Sequence, residues 1–194
     1  MVNFFPFLAY VFVTSFTPGP NNILSMTYGM RYGYRGTLKF LLGIISGFTV
    51  LLLLCGWLNS FLASVLPQAK LWLNILGAVY MVYLAYHILR SGPVEENSQK
   101  KDLNSFRAGF ILQFVNLKGI LYGVTVYSIF ITPSYSSPLQ VVVFALILAV
   151  VGFLSISSWA IGGDLFRSLL KKHYRLFNLV MAALLVYTAI ASLI

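Results

Sequence analysis

Residues Leu139 to Ile161 read LQVVVFALILAVVGFLSISSWAI, a run of 23 without one charged side chain. A helix rises about 1.5 Å per residue, so such a run is long enough to cross a hydrocarbon core of about 30 Å. A barrel strand needs only about 9–11 residues and alternates apolar with polar, which this run does not. Five more stretches read the same way: Phe4–Met26, Leu38–Ala63, Leu71–Leu89, Ala108–Ile131 and Tyr174–Leu193. The expected fold is therefore all-α, a polytopic membrane protein of six transmembrane helices. Composition agrees. The 194 residues are 59% hydrophobic and 9% charged, where a soluble domain carries about 25% charged residues. The mean hydropathy of +0.87 points the same way. Soluble enzyme, soluble binding module and disordered tail are excluded.

The net charge of +9 would suggest a nucleic-acid partner in a soluble protein. Placed against the spans, the charges say something else. Arg31, Arg35 and Lys39 lie between spans 1 and 2. Arg90, Lys100, Lys101 and Arg107 lie between spans 3 and 4, and Arg167, Lys171, Lys172 and Arg175 between spans 5 and 6. All of these fall on one side of the membrane, and the other side has only Lys70. The positive-inside rule then puts the three basic loops in the cytoplasm and both termini outside, in the periplasm. Membrane lipid, not nucleic acid, is the expected surrounding. No basic segment precedes the first run (Met1-Val2-Asn3), which is also too long for a cleaved signal peptide, so it is read as a retained span. Trp57 and Trp72 fall near the outer boundary and Trp159 near the inner one, as an aromatic belt would have them.

The polar stretch from Arg90 to Arg107 divides this single integral membrane domain, residues 1–194, into halves. Repeat one covers about 1–89, a cytoplasmic linker about 90–107, and repeat two about 108–194. Three spans per half is an odd number, so the second half enters the membrane from the opposite side, as two inverted three-helix repeats require. Pro20-Asn21-Asn22-Ile23-Leu24 aligns with Leu117-Lys118-Gly119-Ile120-Leu121 at an offset of 97, with two identities in five.

Candidate chemistry concentrates in two places. Thr17-Pro18-Gly19-Pro20-Asn21-Asn22 lies inside span 1. Proline has no N–H to donate, so Pro18 frees the carbonyl of Thr14 and Pro20 that of Phe16. Thr17 is read as the N-cap of a second half-helix beginning at Pro18. The expected result is a broken helix at membrane depth, tolerated only in a protein interior or at a wet cavity. It suits an amino-acid zwitterion, with the carboxylate at the half-helix N-terminus and the ammonium at the freed carbonyls. A proline kink that only shapes packing is the plainer reading, weighed down by two prolines, a glycine and two asparagines in six residues. The second place is Gln113, Asn116 and Lys118 in span 4. Lys118 lies about 16 Å along the helix from Arg107, near mid-membrane. Intramembrane charges usually face a cavity and mark a pathway. Packing against the freed carbonyls of span 1 is the plainer role; a coupling proton is the bolder one.

Other features carry less. Gly43 and Gly47 form a GxxxG, a close helix contact within one chain or between two, so a homo-oligomer stays open. Cys55, the single cysteine, sits in an apolar run and is read as packing; no intrachain disulfide and no metal cluster can form. Gly162-Gly163-Asp164 reads as a turn after span 5. His87 and His173 sit at span ends. No Walker A, HExxH or G-x-S-x-G motif occurs, and no pair of acids lies within a span. Catalytic residues, metal and cofactor are expected to be none, and the chain is not read as an enzyme.

The sequence resembles the LysE/RhtB family of bacterial amino-acid exporters. The likeness rests on TPGPNN at Thr17–Asn22, the small-residue run Leu76–Leu84, and the Asn-x-Lys of Asn116–Lys118. The family usually has Asn-Pro-Lys there; this chain has Leu117. TPGPNNIL, LLCG at Leu53–Gly56, LQFVN-x-K followed by ILYGVT, and LLVY at Leu184–Tyr187 resemble its cysteine- and O-acetylserine-exporting branch. The resemblance implies secondary, ion-driven efflux of a small neutral amino acid across a bacterial cytoplasmic (inner) membrane, with the proton as candidate coupling ion. The residues add one constraint. No acid falls within a span, so a basic substrate side chain would lack a counter-charge. Cysteine and O-acetylserine fit, as do serine, homoserine and alanine. A passive channel or facilitator for small polar solutes, and a non-transporting subunit packed through its small residues, are the alternatives.

Overall fold

The computed structural model describes residues 4–90, 104–135, 137–167 and 173–193. Most of the linker, with Lys100 and Lys101, and the basic pair Lys171 and Lys172 lie outside these residues. Among the described residues every regular element is helical: α1 (Phe4–Phe16), α2 (Pro20–Trp57), α3 (Asn59–Leu89), α4 (Phe106–Val115), α5 (Leu117–Thr125) continued by a π-helical stretch (Val126–Ile131), α6 (Pro138–Leu165) and α7 (Tyr174–Leu193). Three helices are long and apolar enough to cross a bilayer: Pro20–Trp57, Pro138–Leu165 and Tyr174–Ala191. The pair Phe106–Val115 and Leu117–Ile131, bent by 63°, makes a fourth if it is one span. Phe4–Phe16 and Ile75–Leu89 are shorter apolar helices.

The boundaries depart from the sequence reading in an informative way. Span 1 breaks as expected, but its second half does not end at Met26. It runs on to Tyr32, and past a break at Gly33 the chain continues as helix to Trp57, all within the 38 residues of α2. The expected loop carrying Arg31, Arg35 and Lys39 is thus helical except at Gly33, whose φ of 72° and ψ of 167° divide α2 into two arms. That backbone region belongs almost solely to glycine. Asp164 and Arg167, from the end of α6, close the break: the Tyr34 N–H donates to Asp164 Oδ2 at 2.9 Å, and Arg167 donates to the Arg31 carbonyl at 3.0 Å. An acid thus meets the N-terminus of one arm and a base the C-terminus of the other, as helix dipoles favour. Gly162-Gly163-Asp164 is therefore no turn; α6 continues through it to Leu165.

Caps set the other starts. Ser105 accepts from Ala108 N–H to begin α4, and Ser137 with Gln140 forms a reciprocal capping box at α6, with Pro138 in its first turn. The GxxxG contact lies within the chain. A side chain on Gly43 would meet the Phe106 carbonyl, and one on Gly47 would come within 2.6 Å of the Phe110 carbonyl, so α4 lies directly on α2. Two buried clusters flank the broken helices. One includes Ile23, Phe40, Ile44, Leu112 and Leu185; the other includes Phe7, Leu52, Cys55, Tyr127 and Leu148. Outward faces carry large apolar side chains, among them Phe5 at 83%, Leu139 at 73% and Leu165 at 74% exposure. Faces this apolar call for lipid.

Candidate functional site

α1 ends at Phe16, and α2 begins at Pro20 after three intervening residues. The restart comes two residues later than the sequence suggested. Gly19, not Thr17, holds the N-cap position, and Pro20, not Pro18, stands in the first helical turn. No side chain caps this end, and its first helical bond runs from the Ile23 N–H to the Gly19 carbonyl. The N-terminus of α2 therefore offers its first N–H groups inward. In span 4 the break occurs without a proline. Asn116 leaves the helix at φ −85° and ψ 90°, and its side chain accepts from the Gly119 N–H to cap α5. Leu117 costs the chain nothing here, because an asparagine cap starts a helix as well as a proline does.

The two breaks meet. Asn21 and Gln113 exchange amide bonds, Nδ2 to Oε1 at 2.9 Å and Nε2 to Oδ1 at 3.1 Å, and Asn116 donates to the same Asn21 oxygen at 3.1 Å. Gln113 is wholly buried and also donates to the Gly109 carbonyl. Lys118 reaches back across the gap. Its ammonium donates to the Thr17 carbonyl at 2.9 Å, the Thr17 hydroxyl at 3.0 Å and the Pro18 carbonyl at 3.3 Å. Gly19 leaves room for this stem; a side chain there would come within 2.9 Å of Lys118 Cδ. All nine residues expected at the site are brought together: Thr17, Pro18, Gly19, Pro20, Asn21, Asn22, Gln113, Asn116 and Lys118.

The freed carbonyls are taken up by protein donors, which alters the expected ammonium position. Thr14 O accepts from the Thr17 hydroxyl, Ser15 O from Asn22 and Ser155, and Phe16 O from the Trp159 indole. Thr17 O accepts from Asn22 as well as Lys118. Trp159 thus has its N–H in the break. Sequence reasoning did not single out Ser155 and read Trp159 only as a boundary residue, although the polar cluster SISSW at the end of an apolar run was a signal for both. Tyr122 was missed too. It follows Lys118 by four residues, hence on the same helix face. Its ring lies between Tyr10 at 6.0 Å and Phe48 at 5.8 Å. Its hydroxyl is buried beside Ser15.

Two cavities adjoin this knot. A small one of about 60 Å³ lies between the N-termini of α2 and α5, lined by Gly19, Asn21, Asn22, Asn116, Gly119 and Ser155 among others. A larger one of about 370 Å³ lies toward α3 and α7, lined by Tyr10, Tyr80, Met81, Leu121 and Thr188 among others. Thr14, Gly19, Pro20, Asn116, Lys118 and Tyr122 line both. Ligand pockets run about 300–1,000 Å³, so only the larger space is of that size. Neither cavity has an acidic lining residue. Among the described residues no group of three or more His, Cys, Asp or Glu could hold a metal ion.

Two broken helices whose ends meet beside a cavity are the construction of a membrane translocator. Comparison with known proteins agrees. The family model for the LysE type translocator matches residues 12–194. The chain is 41% identical over 184 residues to the cysteine/O-acetylserine efflux proteins of Escherichia coli K12, Shigella flexneri and Shigella sonnei Ss046, covering 95% of this chain and 94% of each relative. The chain belongs to the LysE type translocator family. No solved structure matches it.

Proposed function

We propose that this chain exports small neutral amino acids, cysteine and O-acetylserine foremost, from the bacterial cytoplasm by alternating access. The observation that carries this reading is the meeting of two helix N-termini and Lys118 at a cavity with no acidic lining residue. Helix N-termini and an ammonium favour a carboxylate. The absence of a lining acid disfavours a cationic side chain. Lys118 occupies carbonyls that a substrate ammonium would otherwise use. On binding, the substrate's ammonium takes over the Pro18 carbonyl, the longest of the three bonds, and Lys118 turns to the carboxylate. The relatives, named as cysteine/O-acetylserine efflux proteins, support the same substrates.

Six spans in two inverted repeats, both termini periplasmic, complete the proposal. Two features support it. Pro20 and Leu117, 97 positions apart, each stand at the first position of a helix after a break. α3 also packs on α7, the third helix of one half on the third of the other. The proton is the proposed coupling ion.

Purified protein in liposomes tests the proposal. Accumulation of labelled O-acetylserine or cysteine against its gradient is expected when a proton gradient is imposed, and its loss when the gradient is collapsed. Downhill flux indifferent to the gradient would favour a facilitator. No flux of any neutral amino acid refutes the proposal.

A further inference from the structure

The wall of the larger cavity carries a single charged side chain, Lys118. The rest is uncharged: Asn116 and the hydroxyl residues Thr14, Tyr10, Tyr80 and Tyr122 beside the apolar Leu112, Leu121 and Met81. The one hydroxyl that α7 contributes to this wall, Thr188, is turned to the Leu185 carbonyl at 2.8 Å and the Met81 sulfur at 3.2 Å, so it presents no free donor to a ligand. A cavity with one charged side chain in an otherwise uncharged wall fits a charged head carrying an uncharged tail. The small cavity, at about 60 Å³, lacks the volume for that tail, and the larger one, at about 370 Å³, has it.

Resting on the exporter reading above, we infer that the larger cavity receives the substrate's uncharged side chain, and that Met81 and Thr188 set its permitted length. The zwitterionic head stays at Lys118 and the helix ends. The side chain extends between α3 and α7. The site then favours elongated neutral side chains, such as an O-acylated serine, over alanine or serine. The run Leu76–Leu84 thereby gains a role in the site through Met81 on α3.

The test is the ratio of O-acetylserine to alanine flux in proteoliposomes. Thr188→Phe, which fills the cavity, is expected to lower the ratio at least tenfold; Met81→Ala, which enlarges it, is expected to raise the ratio for substrates longer than O-acetylserine. A ratio unmoved by both variants overturns the inference and leaves the exporter reading standing. A wild-type protein that moves no neutral amino acid overturns that reading, and this one with it. A binding readout is independent of turnover. Cys55 is fully buried, so a Thr188→Cys variant presents one accessible thiol. O-acetylserine is expected to slow its modification by a maleimide at least fivefold, whereas alanine slows it less. Equal or absent protection overturns the assignment of the cavity.

Discussion

Replacing Asn21 with alanine cuts the joint between the two broken helices. The substitution removes three hydrogen bonds between helices: the reciprocal pair with Gln113 and the bond from Asn116. Interhelical bonds in membrane proteins average about 0.6 kcal/mol and reach about 1.7, so three give about 2 to 5 kcal/mol. The groups left behind matter as much. Gln113 Oε1 and Asn116 Nδ2 lose their partner in a buried place, at about 1–3 kcal/mol each. The two routes describe the same loss and agree on roughly 3 kcal/mol. Gln113→Ala removes the reciprocal pair and the Gly109 bond, so its cost overlaps that of Asn21→Ala. The double variant is expected to fall short of the sum by about 1–2 kcal/mol, the coupling carried by the shared pair. Denaturation in detergent micelles, followed by circular dichroism for the four proteins of the cycle, reads this directly. Strict additivity within experimental error would refute the idea that the two breaks are tied through these amides.

Three further outcomes follow from the same geometry. Lys118→Met deletes an ammonium with three acceptors; removing a partly buried charge together with its bonds largely cancels in stability, so thermal melting is expected to shift little while transport falls at least a hundredfold. Gly33→Ala forces a side chain into a backbone region costing about 1–3 kcal/mol and to within 3.3 Å of Asp164 Oδ1; a lower melting temperature in micelles is the expected result, and an unchanged one contradicts the two-armed α2. Gly43→Val sets a branched side chain against the Phe106 carbonyl; overpacking costs about 1–3 kcal/mol or more, so folded yield on size-exclusion chromatography is expected to drop sharply, while Gly162→Ala, with nothing within 4 Å, leaves it unchanged.

Much of the candidate site is legible in the sequence, because its chemistry is local. A proline lacks an N–H wherever it occurs, so the break in span 1 follows from Pro18 and Pro20 alone. Its register did not, because choosing between Pro18 and Pro20 as helix start depends on where the Gly19 backbone can close onto Lys118. The break in span 4 was harder to read without a proline; Asn116 makes it by capping α5, a choice asparagine takes only where packing ends the preceding helix. The segment around Arg31 and Arg35 read as a loop because it is polar, yet it is helix, held through a single glycine by Asp164 and Arg167 from the far end of α6.

Composition and run length alone placed this chain in a membrane, because apolar surface on that scale has no other solvent. They also chose the residue types of the site, since a proline break and a lysine at mid-depth are recognisable one residue at a time. Tertiary structure alone decided who bonds to whom. The Lys118 ammonium meets Thr17 across 101 positions, Asn21 meets Gln113 across 92, and Trp159 meets Phe16 across 143. It also placed the ligand-sized cavity beside α3 and α7, whose residues carried no polar signal to mark them. Cavity volume is what the packing of several helices leaves over, so no single stretch of sequence encodes it.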